Sequence, residues 1–142
     1  MEPRILIPVD DSSTARATID YIIDQRTRFP RSLDLLHVIN EKQLAYRMIP
    51  EFQLEMVREN ARKAGNKLLD RYRTRLEDAG FSCHLTLETG EPRLIITQIA
   101  NDQQFELLVI GRHEGGGEIR DVLFGSVANY VLHNVRCPVL LV

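Results

Sequence analysis

Short apolar runs, separated by segments of helical periodicity, constrain this chain more than any other feature. Four runs are continuous rather than alternating, at residues 4–9, 33–39, 106–110 and 138–142. Continuous runs of this length are typical of strands buried on both faces of a parallel sheet. A fifth strand is predicted at residues 82–88, where apolar and polar residues alternate moderately.

The segments between these runs carry apolar residues three or four positions apart, which predicts helices. The first helix begins with Ser12 as its expected N-cap and ends before Pro30, which cannot continue a helix. The longest covers about residues 52–79, and Gly80 is a suitable terminating residue. Residues 40–50 show no clear period and are predicted to form a loop.

Two shorter helices are predicted in the second half of the chain. One begins at Pro92, a residue suited to the first helical position, and its expected buried stripe is Leu94, Ile95, Ile99 and Ala100. The other runs from about Gly125 to Asn134. The order βαβαβαβαβ predicts an α/β fold, a single domain over residues 1–142 with a five-stranded parallel sheet and helices on both faces.

The composition argues against several functions. The chain has 142 residues with 18 Lys plus Arg against 20 Asp plus Glu, so no global basic field gathers nucleic acid. No stretch approaches the ~20 apolar residues of a membrane span, and the first residues lack the apolar segment of a secretory signal. We therefore expect a cytoplasmic protein that binds neither nucleic acid nor membranes.

The cysteines and histidines predict no metal site. Cys83 and Cys137 lie far apart and outside any CxxC pattern, so we expect both to be buried and reduced. The four histidines show neither an HxxxH nor an HExxH spacing. His113, which lies among glycines, is the one histidine that we consider for contact with phosphate.

The strongest chemical signal is the segment 111–127, GRHEGGGEIRDVLFGSV. Its glycine run at 115–117 permits a backbone concavity, and the N–H groups of the helix that begins at Gly125 and Ser126 favour negative charge. These features predict a phosphate site, with a surface loop before an ordinary helix as the alternative. The lysine of a P-loop is missing, and the dinucleotide fingerprint belongs on the first strand instead of the fourth.

Together these motifs resemble the universal stress protein family over essentially the whole chain. ILIPVDDS is similar to the family's first strand, LLHVI to its second, and ETGEP to the turn after its third. The segment from Gly111 to the last strand is similar to the family's nucleotide loop, last helix and last strand. Nucleotide-binding members carry GxxG, nine residues, then Gly and Ser or Thr. Here Gly115, Gly125 and Ser126 match, but Gly111 lies one residue too far from Gly115 and Glu114 is an acid.

The resemblance implies that the chain binds ATP or another adenine nucleotide, with Mg²⁺ where a cation offsets Glu114. It assigns Pro8, Val9, Val38 and Ile110 to the adenine, Asp10 to the ribose, and Gly111, Arg112, Gly115, Gly125, Ser126 and Val127 to the phosphates. Independently of the resemblance, ligands of such sheets bind at the carboxyl ends of the strands, which also points to Asp10. Any ATP hydrolysis is expected to be slow and incidental.

The last strand, which is expected at an edge of the sheet, predicts a homodimer paired through that strand, and the resemblance implies the same.

Other interpretations of these motifs stay open. Asp10 can serve as a helix N-cap, although Ser12 fits that role better. The pair Asp10 and Asp11 also fits a receiver domain, but Glu88 and Arg136 stand where such a domain has an aspartate and a lysine. DDSS lacks the glycines of an ATP-consuming synthetase loop. A nucleotide-free dimeric adaptor of the same fold remains the main alternative.

Overall fold

The computed structural model describes residues 3–42, 50–112 and 125–142. Most of the predicted loop at 40–50 lies outside these ranges. So do residues 113–124 of the glycine-rich segment, which include His113, Glu114 and Gly115. No helix in the described ranges combines the length and the apolar character needed to cross a bilayer.

Five parallel strands form one sheet in the order β3-β2-β1-β4-β5. The strands are β1 (Ile5–Pro8), β2 (Ser32–Asn40), β3 (Ser82–Gly90), β4 (Leu107–Ile110) and β5 (Val139–Leu141). β2 and β3 extend the sheet on one side of β1, whereas β4 and β5 extend it on the other. The predicted α/β fold is confirmed, and the winding direction reverses between β1 and β4.

Four helices that lie wholly within the described ranges cover the two faces of this sheet. They are α1 (Ser13–Asp24), α2 (Glu51–Asp78), α3 (Pro92–Asp102) and α4 (Ser126–Asn134), with a short 3₁₀ turn at Arg26–Arg28. α1 and α2 pack on one face through residues such as Ile19 and Leu69. α3 and α4 pack on the other through Ile96 and Val131.

Local sequence signals set the ends of two helices as predicted. The Ser12 hydroxyl accepts a hydrogen bond from the Ala15 N–H at 3.0 Å, which caps α1. At the end of α2, Gly80 adopts a φ of +100°, a conformation that favours glycine. The Phe81 N–H then donates to the Leu76 carbonyl at 3.0 Å and closes the helix.

The buried stripe of α3 differs from its prediction. Ile96 and Ala100 are the residues of this helix that are buried. Ile95 and Ile99 are half-buried, and Leu94 is 43% exposed. The helix therefore turns Ile96 toward the sheet, where it joins the cluster around Leu36 and Leu108.

The two cysteines are half-buried, so the prediction that both are buried was wrong in degree. Cys83 lies on the edge strand β3, where a side chain keeps partial access to solvent. Burial raises the pKa of the Cys83 thiol to about 11, and Glu77 adds to the rise. Burial also raises the pKa of Cys137. Both thiols therefore stay protonated at neutral pH, which makes them weak nucleophiles.

Candidate functional site

A cleft of about 1070 Å³ opens at the carboxyl ends of β1, β2 and β4. It lies where the strand order reverses between β1 and β4, which is the usual place for ligands in open α/β sheets. Its volume is close to the upper end of the range for small-molecule sites. The cleft is therefore large enough for a nucleotide.

Nine of the eleven predicted nucleotide-binding residues line this cleft. They are Pro8, Val9, Asp10, Val38, Ile110, Gly111, Gly125, Ser126 and Val127. Arg112 is not among the lining residues, since its side chain is exposed and its N–H donates to the Val142 carbonyl at 3.0 Å. Gly115 lies outside the described residues. The contacts of all eleven with a ligand stay predictions.

One side of the cleft, here called the β2 wall, consists of the ends of β1 and β2 with the facing part of α2. The Val9 N–H donates to the Leu36 carbonyl at 2.8 Å. The Val9 carbonyl lies 2.8 Å from Nδ1 of His37. Because a carbonyl only accepts, Nδ1 of His37 carries the hydrogen of this bond.

Asp10 is exposed at the mouth of the β2 wall. One oxygen of its carboxylate accepts from the Ser12 N–H at 3.1 Å, and its main-chain carbonyl accepts from the Tyr72 hydroxyl at 3.0 Å. The neighbouring Asp11 pairs with Arg16 at 3.3 Å. The second carboxylate oxygen of Asp10 forms no hydrogen bond with any residue in the described ranges, so it is the atom best placed to accept from a ligand hydroxyl.

The Tyr72 hydroxyl, which lies on α2, holds the main chain at Asp10, between β1 and α1. Burial raises the pKa of Tyr72, and Arg16 partly opposes the rise while Asp10 and Asp11 add to it. The hydroxyl therefore stays protonated at neutral pH and keeps donating to the Asp10 carbonyl. This bond joins α2 to the end of β1 and fixes the position from which the Asp10 carboxylate projects.

The face of α2 toward the cleft carries small residues. Ala61, Ala64 and Gly65 line the cleft, followed by Leu68 and Arg71 one and two turns further on. At Gly65 the helix comes very close to the sheet. A Cβ atom there would lie 2.8 Å from Leu87 Cδ1 and 3.2 Å from His37 Cδ2. Glycine at this position therefore leaves the space that the His37 ring occupies.

The opposite side, here called the β4 wall, consists of the end of β4 and the start of α4. Gly111 follows β4 directly, and a Cβ there would lie 2.5 Å from both Thr14 Cγ2 and Thr18 Oγ1. Real Cβ contacts are essentially never this short. The glycine is therefore required by the close approach of α1, in addition to any role toward a ligand.

The first turn of α4 completes the β4 wall. Gly125 is the N-cap, and the first hydrogen bond of the helix runs from the Asn129 N–H to the Gly125 carbonyl at 2.9 Å. The N–H groups of Ser126, Val127 and Ala128 precede that bond, so they have no acceptor within the helix. These three residues line the cleft, and α4 has no acidic residue in its first turn. This end of the cleft favours an anion.

Among the lining residues that the sequence did not predict, His37 and Arg71 carry side chains able to hydrogen-bond or to contribute charge. α2 carries five arginines, interleaved with acids along its sequence. Four of them do pair with acids, namely Arg58, Arg62, Arg73 and Arg75. Arg71 instead lines the cleft and forms no ion pair with any residue in the described ranges. Neither residue has a local signature, since both depend on which strand and helix turn face the cleft.

The described residues contain no group of three or more His, Cys, Asp or Glu side chains arranged to hold a metal ion. The acid that lines the cleft beside the predicted ribose position is Asp10, with Asp11 next to it. The chemistry of the cleft is thus apolar at the strand ends, acidic at the end of β1 and rich in N–H donors at the start of α4.

Comparison with known proteins identifies relatives over the full length of the chain. The sequence profile of the universal stress protein family matches residues 1–142. The universal stress protein MJ0577 of Methanocaldococcus jannaschii is 29% identical over 156 residues, which covers 100% of this chain and 95% of that protein. The solved structure of MJ0577 superposes with a TM-score of 0.82 at 27% identity and covers 100% of this chain and 96% of that one.

Two other solved structures share the fold and hold nucleotides. A universal stress protein in complex with cAMP has a TM-score of 0.64 at 18% identity, covering 99% of this chain and 96% of that one. An Arabidopsis thaliana family protein with AMP bound has a TM-score of 0.72 at 18% identity, covering 99% and 90%. With the family profile matched over the whole chain and the five-stranded fold in place, the chain belongs to the universal stress protein family.

Proposed function

We propose that this chain is a cytoplasmic regulatory protein that binds ATP or a related adenine nucleotide between the ends of β1 and β4. The observation that carries the proposal is the convergence of apolar, acidic and N–H-rich surfaces in one cleft at the reversal of strand order. Each surface matches a different part of a nucleotide, and the three follow one another from β2 to α4.

The match is chemical as well as spatial. Val9, Val38 and Ile110 are buried apolar residues that line the cleft and offer apolar contact to a base. Asp10 offers a carboxylate, a suitable acceptor for the two hydroxyls of a ribose. The N–H groups of the first turn of α4 favour phosphate oxygens. A bound Mg²⁺ is expected to come with the triphosphate, since its usual ligands in nucleotide sites include phosphate oxygens.

The ligands of two relatives of the same fold support an adenine nucleotide. One holds AMP and the other cAMP, both of which share the base and sugar of ATP. They differ in the number and attachment of the phosphates. We propose that binding shifts the population of conformations at the mouth of the cleft, which changes the surface offered to a partner, without turnover of the nucleotide.

The test is to strip the purified protein of carried-over ligand and titrate it by calorimetry with Mg·ATP, AMP and cAMP. We expect saturable binding of at least one of them with one site per chain. Mass spectrometry of the ligand released during stripping identifies the species bound in the cell. If none of the three binds, the nucleotide proposal is wrong, and the nucleotide-free adaptor becomes the better description of this protein.

We also propose that the protein forms a homodimer through β5. This strand is an edge of the sheet, and its residues from Val139 to Val142 are half-buried. The Val142 N–H donates to the Ile110 carbonyl at 3.0 Å, so the backbone of Val142 and Leu140 faces β4. By the alternation of a strand, the backbone of Leu141 faces outward and is available to a second copy.

Proline substitutions at two adjacent positions of β5 separate an effect on dimerisation from an effect on the stability of the fold. Leu141→Pro removes an outward N–H from each chain, so we expect a dimer dissociation constant raised about tenfold or more in sedimentation equilibrium. Leu140→Pro removes an N–H that faces β4 and is expected to lower the stability of the fold instead. A wild-type protein that sediments as a monomer at all concentrations contradicts the proposal.

A further inference from the structure

The hydrogen-bond ladder between β1 and β2 is interrupted at its carboxyl end. The Val9 N–H donates to the Leu36 carbonyl, which continues the register that pairs Pro8 with Leu36. The next rung of a parallel ladder would run from the Val38 N–H to the Val9 carbonyl. These two groups form no hydrogen bond with each other. The Val9 carbonyl accepts from Nδ1 of the His37 side chain at 2.8 Å instead.

The position of the His37 ring is set by its surroundings. His37 lies on β2 between the cleft and α2, and its ring is half-buried. Gly65 on α2 leaves room for it, since a Cβ at this position would come within 3.2 Å of His37 Cδ2. The ring therefore has a fitted place beside the Val9 carbonyl, and the carbonyl fixes the tautomer with hydrogen on Nδ1.

The interrupted rung has a consequence for Val38. Backbone groups of residues two apart on a strand face the same edge, and the Leu36 carbonyl faces β1. The N–H and carbonyl of Val38 therefore also point toward the β1 side, at the level where β1 has ended and the cleft begins. Val38 lines the cleft and is 8% exposed. Its N–H is kept from the acceptor that a continued ladder would have provided.

We propose that His37 is a positioning residue that holds the Val9 carbonyl and thereby leaves the Val38 backbone available to select the base. This rests on the proposed function, in which the base lies against Val38. An N–H beside a carbonyl complements adenine, whose N1 accepts and whose amino group donates. Guanine presents N1–H and O6 along the same edge, so donor meets donor and acceptor meets acceptor. A site with such fixed polar groups rejects the wrong partner strongly, because its groups are left unpaired.

The binding test compares two substitutions at His37. Asparagine places an N–H near the position of Nδ1 and can still donate to the Val9 carbonyl, whereas leucine cannot. In His37→Leu the Val38 N–H is expected to close onto the Val9 carbonyl. We expect AMP affinity and the preference for AMP over GMP to fall about tenfold in His37→Leu. In His37→Asn both are expected to stay within about threefold of the wild type.

A matched control is available on the neighbouring strand. His84 lies on β3 with its Nδ1 3.3 Å from the Asp34 carboxylate, and its side chain is 72% exposed. It is not among the residues that line the cleft. His84→Leu removes the same ring from the same sheet and is expected to leave AMP affinity and the AMP-to-GMP preference unchanged.

Two measurements on the unliganded protein test the role of His37 separately from nucleotide binding. Nitrogen-15 chemical shifts are expected to place the single hydrogen of the neutral His37 ring on Nδ1 and not on Nε2. The amide hydrogen of Val38 is expected to exchange faster in the wild type and His37→Asn than in His37→Leu, where it regains an acceptor.

The outcomes are distinguishable. An unchanged AMP-to-GMP preference in His37→Leu, or a His37 ring with its hydrogen on Nε2, overturns the positioning role while leaving nucleotide binding intact. If the wild type binds no adenine nucleotide, the proposed function fails instead. The tautomer and the exchange of the Val38 amide then still decide whether His37 holds the Val9 carbonyl.

Discussion

The two walls of the cleft are built by different means. The β4 wall uses main-chain groups: Gly111 packs against α1, and the first turn of α4, whose residues line the cleft, carries N–H groups that have no acceptor within the helix. The β2 wall uses side chains to place main-chain groups. His37 binds the Val9 carbonyl, and the Tyr72 hydroxyl binds the Asp10 carbonyl.

Because of this difference, we expect the two walls to tolerate different kinds of substitution. In the β4 wall the size and the charge of an added side chain decide its effect, because α1 lies against Gly111 and the proposed phosphates lie at Gly125. In the β2 wall a substitution is tolerated where it keeps both the hydrogen bond and the charge of the side chain that it replaces.

The largest effect is expected for Gly125→Glu in the β4 wall. The new carboxylate lies at the N-cap of α4, beside the N–H groups proposed to hold the phosphates. Its negative charge therefore repels the phosphates of the ligand. Because Gly125 has a φ of −64°, other residues can adopt its conformation without strain. We expect ATP affinity measured by calorimetry to fall more than about a hundredfold, with an unchanged circular dichroism spectrum.

Gly125→Ala is the matched control for this charge. It adds a Cβ at the same position without a carboxylate, and its affinity for ATP is expected to stay within a few-fold of the wild type. Unchanged affinity in Gly125→Glu would show that the phosphates do not lie at the start of α4.

The second prediction concerns the stability of the β4 wall. Gly111→Ala places a methyl group 2.5 Å from Thr14 Cγ2 and Thr18 Oγ1, so α1 must shift away from the end of β4. Overpacking of this kind costs about 1–3 kcal/mol. Urea unfolding is expected to show that loss of free energy of unfolding in Gly111→Ala and a much smaller one in Gly125→Ala. Equal midpoints for the two variants would mean that α1 yields without cost.

The third prediction moves to the β2 wall. Asp10→Asn keeps an oxygen that can accept from the Ser12 N–H, so the loop before α1 should keep its conformation. It loses the negative charge proposed to bind the ribose hydroxyls. Hydrogen bonds to a charged group are worth about 1.5–3 kcal/mol, so we expect AMP affinity to fall about tenfold or more.

A ligand without the hydroxyls provides the control for Asp10. The 2′,3′-dideoxy form of AMP cannot donate to the carboxylate, so its affinity is expected to be similar in Asp10→Asn and the wild type. Equal losses for AMP and its dideoxy form would place the ribose elsewhere in the cleft.

Features that depend on local chemistry could be predicted from the sequence. The strands, the capping hydroxyl of Ser12 and the left-handed Gly80 each follow from a few adjacent residues. The edge of the sheet at which the cleft lies followed from the alternation of strands and helices along the chain, because a parallel sheet gathers the carboxyl ends of its strands at one edge.

Features that depend on the rotation of an element or on register could not be predicted in this way. Ile95, Ile96 and Ile99 on α3 all satisfy an apolar period, and only packing on the sheet decides that Ile96 is the one fully buried. His37 acts on Val9, which is 28 residues earlier in the chain, through a contact that needs the register of β1 against β2. Spacing along the chain carries no record of such contacts.

Arg71 provides the last and smallest test of the contrast between the walls. It lines the cleft on the β2 wall, and no acid in the described ranges pairs with it. Arg62, on the same helix, pairs with Glu59 at 2.6 Å, and it is not among the residues that line the cleft. An unpaired cation near an anionic ligand contributes a modest, solvent-screened attraction, so Arg71→Gln is expected to weaken AMP binding about threefold. Arg62→Gln should not change it, and adenosine, which lacks phosphate, should bind both variants as it binds the wild type.

The effect of Arg71→Gln on AMP affinity should also depend on salt. We expect it to become smaller as salt is raised from about 50 to about 500 mM, because the Debye length falls below about 10 Å once the salt exceeds about 0.1 M. Equal weakening of adenosine and AMP would instead mean that Arg71 packs against the base, and the β2 wall would then recognise the ligand without contributing to the attraction of its phosphate.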